Sequence, residues 1–297
     1  MRDAHPGDAG AIGEIWSAAV PYLVRTAARA AAEMHEDKTM RRRRWVGLDG
    51  EVVAGTATAR PVSEHEVFLT VEVHPDHGSR GVGTALLAAA AAAHAGVDQM
   101  RAVSNGDPIS LAFAVRNGFL PEAEERIGFV APHLVGEAGP APQGLRPVTL
   151  EALPDLRMLL ETYNLAAGDD PSHRARRLTM YQLRSEWWDN PDNSPALSFG
   201  LIDDAAPRPV LAAFTSVEVD RERARAWTTM TATHPSYRGR ALARWVEHRT
   251  LNAMADAGVT EAWIGNDTGD EAMLALNEQL GYVTATTSIR VARRVPA

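Results

Sequence analysis

The feature that most constrains this chain is that it carries one pattern twice. Val73-His74-Pro75-Asp76-His77-Gly78-Ser79-Arg80-Gly81-Val82-Gly83 leads into an Ala/Leu-rich stretch, and Thr233-His234-Pro235-Ser236-Tyr237-Arg238-Gly239-Arg240-Ala241-Leu242-Ala243 repeats the arrangement 160 residues later. Asn105 recurs as Asn266 at a spacing of 161, and Gly118-Phe119 recurs as Gly281-Tyr282 at 163. A repeat of that length is too long for a stacked solenoid, so it describes two homologous domains. The 297 residues suffice for two cores of ordinary size.

Composition narrows what such a pair can do. With 45% hydrophobic and 23% charged residues and no apolar run of membrane-spanning length, the expectation is a globular protein with no membrane partner. The opening Met1-Arg2-Asp3-Ala4-His5-Pro6 lacks the basic flank and apolar stretch of a secretory leader, which points to the cytoplasm. The absence of Cys excludes disulfides, thiolate metal ligands and a cysteine acyl carrier. A net charge of −8 suits a cationic small molecule better than nucleic acid. The run Arg41-Arg42-Arg43-Arg44 reads as a solvated segment ahead of a strand. His74 and His77 have neither the spacing nor the carboxylate support of a metal site, so no metal is expected.

Periodicity fills in both halves. Ala11, Ile12, Ile15, Trp16 and Ala19 mark a helix, and a second is expected from about Leu23 to Met34. Asp49-Gly50 between two strand-like runs marks a hairpin. Val67–Val73 reads as a strand, Gly83–His94 as a helix, Met100–Ser104 as a strand and Ile109–Arg116 as a helix. Phe119-Leu120 and Ile127–Val130 read as a closing pair of strands. The stretch from Ala138 to Gly144 has the Pro/Gly content of a linker, which sets the expected domains at 1–137 and 145–297. The second half repeats the order, with helices near Leu153–Tyr163, Arg174–Trp187, Leu242–Asp256 and Glu271–Gln279, and closing strands at Tyr282–Thr284 and Ser288–Ala292. The first half has room only for a very short or clipped first strand. The expected class is α/β (α+β), two tandem domains with a mixed sheet flanked by helices.

A strand that ends in small residues and feeds a helix exposes unpaired N–H groups at the positive end of the helix dipole, which suits phosphate. Gly81-Val82-Gly83 meets that description, with Arg80 beside it. These residues resemble the acetyl-CoA loop of the GCN5-related N-acetyltransferases, Arg/Gln-x-x-Gly-x-Gly/Ala, in both halves. The resemblance implies a sheet that splays in its middle, with the pantetheine arm lying in the opening along the strand of Val71 and Val73 and the pyrophosphate on Arg80, Gly81, Val82, Gly83 and Thr84. Asn105, at the far lip, is a candidate hydrogen-bond partner for the cofactor. The second-half counterparts are Arg238, Gly239, Ala241 and Ala243. Gly78 stands where the first half should have Arg or Gln, and Ala241 replaces the first glycine of the second loop, so the first half is the favoured acetyl-CoA binder. The family's frequent general-acid tyrosine is missing, its positions held by Ala114 and Asn277.

An amine acceptor must lose a proton before it attacks a thioester, so a base is needed at the end of the central strand. Glu72 and His74 are the candidates, with Glu66 further back; Glu218 and His234 are weaker ones in the second half. Trp187-Trp188 with Asp169, Asp170 and His173 could form an aromatic and acidic wall for a cation, although packing and helix capping account for them better. The expected activity is direct acetyl transfer to the amine of a small cationic metabolite, antibiotics among the candidates. The alternatives are a non-catalytic acyl-CoA-binding or assembly protein, and a peptide N-acetyltransferase. Whether the chain forms a homodimer is left open.

Overall fold

A computed structural model describes residues 1–36, 42–94, 96–168 and 176–295. The chain divides into two compact units, one made of Met1–Glu125 with Thr286–Ala297 and the other of Arg126–Ala285. In chain order the elements begin with β1 (Arg2–Asp3), α1 (Ala9–Ala19), α2 (Ala27–Glu36), β2 (Arg43–Asp49), β3 (Val52–Pro61) and β4 (Glu66–Val73). They continue with α3 (Val82–Ala92), β5 (Gln99–Asn105), α4 (Pro108–Arg116) and β6 (Leu120–Val130). The second half holds β7 (Arg146–Thr149), α5 (Leu156–Ala167), α6 (Met180–Leu183, running on as a wider turn through Trp188) and β8 (Phe199–Asp203). Then come β9 (Val210–Asp220), β10 (Arg225–Thr233), α7 (Leu242–Asp256), β11 (Glu261–Asp267), α8 (Glu271–Gln279) and β12 (Val283–Arg294). The first strand is indeed very short, two residues paired antiparallel to β2.

The strand order in unit 1 is β1-β2-β3-β4-β5-β12, and in unit 2 it is β6-β11-β10-β9-β8-β7. Each unit is therefore closed by a strand from the other half of the sequence. Residues 288–294 of β12 pair antiparallel with β5, from Ser288↔Asn105 to Arg294↔Gln99. Ile289 and Val291 enter the apolar cluster of Leu69, Leu86, Met100 and Phe119, while Arg293 donates to the Asn117 carbonyl and stacks on Phe119. In unit 2, Val130 of β6 is buried with Ile264 and Tyr282, and Phe129 packs on Trp263. The sequence reading expected two short closing strands per half. Instead one unbroken strand runs through each region, because Pro121–Arg126 and Ala285–Thr287 contain no Gly or Asn to turn on. The exchange draws the boundaries at 125/126 and 285/286 rather than around residue 140.

The segment read as a linker lies on unit 2. Trp245 donates its indole N–H to the carbonyls of Gly139 and Pro140, Asn252 donates to Gly136 at 3.0 Å, and Ala138 N–H donates back to Asn252 at 2.7 Å. The arginine run also departs from expectation. Period-two alternation sends Arg42 and Arg44 to one face, where both reach Glu33 of α2, and Arg44 is buried against Trp16. Burial alone would raise the Glu33 carboxyl, but Arg29, Arg42 and Arg44 together bring it down to about 2. Arg41 lies outside the described residues.

α3 sits on the β2–β3 hairpin at close range. A Cβ on Gly55 would come within 2.9 Å of the Glu72 carbonyl and 3.0 Å of Val82, so only glycine admits the helix there. That contact sets the height of the loop between β4 and α3, where the candidate site lies.

Candidate functional site

β4 and β5 are paired in parallel only over Glu66↔Gln99, Val67↔Met100 and Phe68↔Arg101. Beyond Phe68 the strands part, and the edge of β4 from Leu69 to Val73 that faced β5 has no strand partner among the described residues. β10 and β11 part in the same way after Thr228↔Ile264. An open strand edge of this kind offers N–H and C=O groups to any extended ligand.

The loop after β4 begins with His74, whose Nδ1 accepts from the Asp76 N–H, and a single 3₁₀ turn covers Pro75–His77. Ser79 and Gly81 both take positive φ, 61° and 84°, and α3 starts at Val82. The loop after β10 has the same course: His234 caps Pro235–Tyr237, Gly239 and Ala241 take φ of 74° and 54°, and α7 starts at Leu242. Each loop thus spends one glycine and one side-chain-bearing residue on its two left-handed positions. Ala241 is the strained member in unit 2, at a cost of roughly 1–2 kcal/mol.

Around Gly81 a Cβ would meet nothing within 4 Å, and at Gly83 it would make only ordinary contact with Val73 (3.4 Å) and Phe113 (3.6 Å). The fold itself does not demand a missing side chain at 83. What the two glycines provide is bare backbone at the N-terminus of α3, which fits a phosphate-bearing cofactor. Val82 is buried under the hairpin and Thr84 is exposed on the first turn. Val71 and Val73 pack their side chains toward α3 with Leu86, Leu87 and Phe113, so only their backbone lies along the opening.

Two of the expected cofactor contacts have other partners. Arg80 is drawn to the hairpin turn, where its Nη1 lies 2.6 Å from Asp49 Oδ2, and His77 Nδ1 lies 2.8 Å from the same oxygen. Those hydrogen bonds, His77 first, hold the Asp49 carboxyl below its ordinary value. Tyr237 and Asp203 form the corresponding tie in unit 2, at 2.8 Å. Asn105 donates to the Ala19 carbonyl at 2.8 Å and accepts from the Tyr22 hydroxyl at 3.1 Å, so both ends of its amide bind the α1–α2 connection. Arg238 is exposed beside His234, whose imidazole is held down by burial and by that guanidinium. Ala243 lies on the first turn of α7.

Glu72 and His74 are brought to different surroundings. His74 is committed to its turn. Glu72 points to the opposite face of β4 from Val71 and Val73, where Arg25 Nη2 meets its Oε1 at 2.5 Å; its Oε2 is buried without a hydrogen bond among the described residues. Tyr22 is buried next to this pair, and burial pushes its phenol up to about 12, so it stays protonated at neutral pH. Tyr22 and Arg25 were absent from the sequence-derived set. The one signal that could have found them is their place just after the first helix, a connection that must cross the end of β4. Glu66 sits at the paired end of β4 against Arg101, and Glu218 faces Trp227 at the paired end of β10, bound by Asn190, so neither lies at an opening.

In unit 2 the position of Glu72 is held by Ala232, packed in an apolar cluster with Trp187 and Phe214. Trp187 is a core residue, its ring edge-on to Tyr163 and tilted against Phe214 and its N–H on Ser216, while Asp169, Asp170 and His173 lie outside the described residues. Asn277, at the missing tyrosine position, is buried and donates to Asn266. Among the described residues no group of three His, Asp or Glu could hold a metal ion, and no helix is long and apolar enough to cross a membrane.

With this geometry in place, comparisons with known proteins agree. Residues 12–119 match the acetyltransferase (GNAT) family. The full chain superposes on a tandem GNAT protein from the clavulanic acid biosynthesis pathway, with a TM-score of 0.76 and 19% identity, covering 100% of this chain and 98% of that one. Residues 12–119 thus match the GNAT family, and the whole chain has the fold of a tandem GNAT protein. A GCN5-related N-acetyltransferase from Sphaerobacter thermophilus gives a TM-score of 0.66 at 17% identity, with 100% and 95% covered. One from Kribbella flavida gives 0.55 at 18%, with 90% and 95% covered. At these identities the structural matches speak to the fold, and no curated protein matches the sequence significantly.

Proposed function

We propose that this tandem GNAT protein is an acetyl-CoA-dependent N-acetyltransferase acting on the amine of a small metabolite, with unit 1 as the catalytic unit. The observation that carries the reading is Glu72, a buried carboxylate with an unused oxygen on the strand that opens away from β5, followed directly by the bare Gly81–Gly83 backbone. Gly81, Val82, Gly83 and the first turn of α3 would hold the pyrophosphate, and the open edge of β4 at Val71 and Val73 would hold the pantetheine arm. Bound acetyl-CoA supplies a thioester carbonyl carbon for the acceptor nitrogen. One N–C bond forms and one C–S bond breaks.

Glu72 Oε2, directly or through one water, takes the proton that the acceptor nitrogen must lose. Such a base contributes on the order of 10²–10⁴ in rate. The departing sulfur takes up one proton; Tyr22 lies in the same cluster and carries one at neutral pH. The chain has no Cys, so transfer goes from donor to acceptor within one ternary complex. In unit 2, Ala232 supplies no base and Ala241 puts a methyl group on the loop, which favours a non-catalytic role for that unit.

The test is a calorimetric titration of acetyl-CoA into the full chain. One site per chain is expected. Two sites would remove the distinction between the units, and no binding would end the acetyltransferase reading.

A further inference from the structure

Arg25 comes from the connection between α1 and α2. Its guanidinium lies over the Trp16 ring, 5.1 Å from the centroid, and its Nη2 pairs with Glu72. The two side chains are only 15% and 10% exposed, and each keeps an unused group: Arg25 Nε and Glu72 Oε2 are buried with no hydrogen-bond partner among the described residues. A buried donor and a buried acceptor left open on the two members of one ion pair are costly in the absence of something that completes both.

The chemistry of that completion is specific. An ammonium satisfies Glu72 Oε2, but it leaves Arg25 Nε open and adds a second cation beside a guanidinium. A carboxylate satisfies Arg25 and is repelled by Glu72. A group carrying an ammonium and a carboxylate on neighbouring atoms answers both, with opposite charges facing opposite charges. The net charge of −8 describes the whole surface, whereas the acceptor meets this pair.

We infer that the acceptor is a zwitterionic amino acid, its amine set against Glu72 and its carboxylate against Arg25. The inference rests on the acetyltransferase reading and narrows its substrate class. Arg25 is then the residue that selects the acceptor. Trp16 and Glu72 hold its guanidinium in one orientation, so little freedom is lost when the carboxylate binds.

The experiment compares amino acids with their decarboxylated counterparts (phenylalanine with phenethylamine, histidine with histamine, lysine with cadaverine) as acceptors for the full chain with acetyl-CoA. The expected result is a kcat/KM about 10- to 100-fold higher for the carboxylate-bearing member of a pair. Arg25→Gln should lower kcat/KM for the carboxylate-bearing member about 10-fold or more beyond its effect on the decarboxylated amine, so that the preference collapses, and Arg25→Lys should keep part of it. Equal loss on both members of a pair would mean that Arg25 only supports the fold. A wild-type preference for the decarboxylated amines, or silence toward every amino acid, overturns the inference on its own, whether or not the variants fold. If acetyl-CoA binds and simple amines are acetylated, the acetyltransferase reading survives that failure; if acetyl-CoA does not bind, both fall.

Discussion

In unit 1 the strand that leaves its neighbour carries Glu72 one residue before its end, with Arg25, Tyr22 and Trp16 gathered on the same face; in unit 2 the matching strand carries Ala232 there, packed with Trp187 and Phe214. The other face shows the reverse. Val71, Leu87, Ala90 and Phe119 form part of an apolar core in unit 1, and their counterparts in unit 2 are Thr231, Glu247, Thr250 and Tyr282. Strand pairing confirms the match, since Val71 opposes Ala57 and Thr231 opposes Thr215. Glu247 accepts from Thr231 at 2.7 Å, its second oxygen has no hydrogen bond among the described residues, and burial pushes its carboxyl up to about 7. Tyr282, close by, is raised by burial and by the Glu247 charge. The lesson is that the same backbone was kept twice while the polar groups were moved from one side of the central strand to the other. Loop geometry therefore does not separate the two units; in the proposed reading the position of the carboxylate does.

That comparison can be broken in several ways. Glu72→Gln should lower kcat by about 10²–10⁴-fold with acetyl-CoA affinity unchanged, measured by thiol release and calorimetry. An equal activity would move the base elsewhere. Gly81→Asp should abolish the single acetyl-CoA site while circular dichroism stays native, because a carboxylate then faces the phosphates; Ala241→Asp should leave that site intact. Loss of binding in both would make the two loops equivalent.

Smaller effects sharpen the contrast. Glu247 binds a proton more tightly folded than unfolded, so its contribution favours folding fully below its ordinary range, near pH 4.5, and is lost as pH rises to about 7. The melting temperature should therefore fall across that window. Glu247→Leu, the residue unit 1 uses there, should flatten the dependence and add about 1–3 kcal/mol at pH 8. A wild-type melting curve that is flat from pH 5 to 8 would contradict the buried acid. Ala241→Gly should stabilise unit 2 by about 1 kcal/mol in denaturant titration, by relieving a left-handed alanine.

Much of this was legible before any coordinates. The repeated His-Pro and glycine pattern located both loops and both helix starts, since local turn chemistry and helix capping act over a few residues. Glu72 was legible as the polar member of an alternating strand. Arg25 and Tyr22 were not, because they reach Glu72 and Asn105 from 47 and 83 positions away and carry no motif of their own. The contact of Arg80 with Asp49 was not legible, because Asp49 belongs to a hairpin 31 residues earlier. The closing strands were seen, but strand pairing is decided by partners, and periodicity alone does not name the partner.

The strand exchange has a consequence for the order in which the molecule is made. Unit 2 has all its strands once residue 285 has been synthesised, whereas unit 1, whose first strand is at residues 2–3, stays one strand short until residues 288–294 emerge. The half that is translated first is completed last. While it waits, the edge of β5 is exposed, and with it the apolar positions that Ile289 and Val291 will cover. A chain stopped after Ala285 should therefore show protease resistance in Arg126–Ala285 and sensitivity in the segment that carries Glu72. Residues 288–294 thus complete a unit whose other strands were made more than 180 residues earlier.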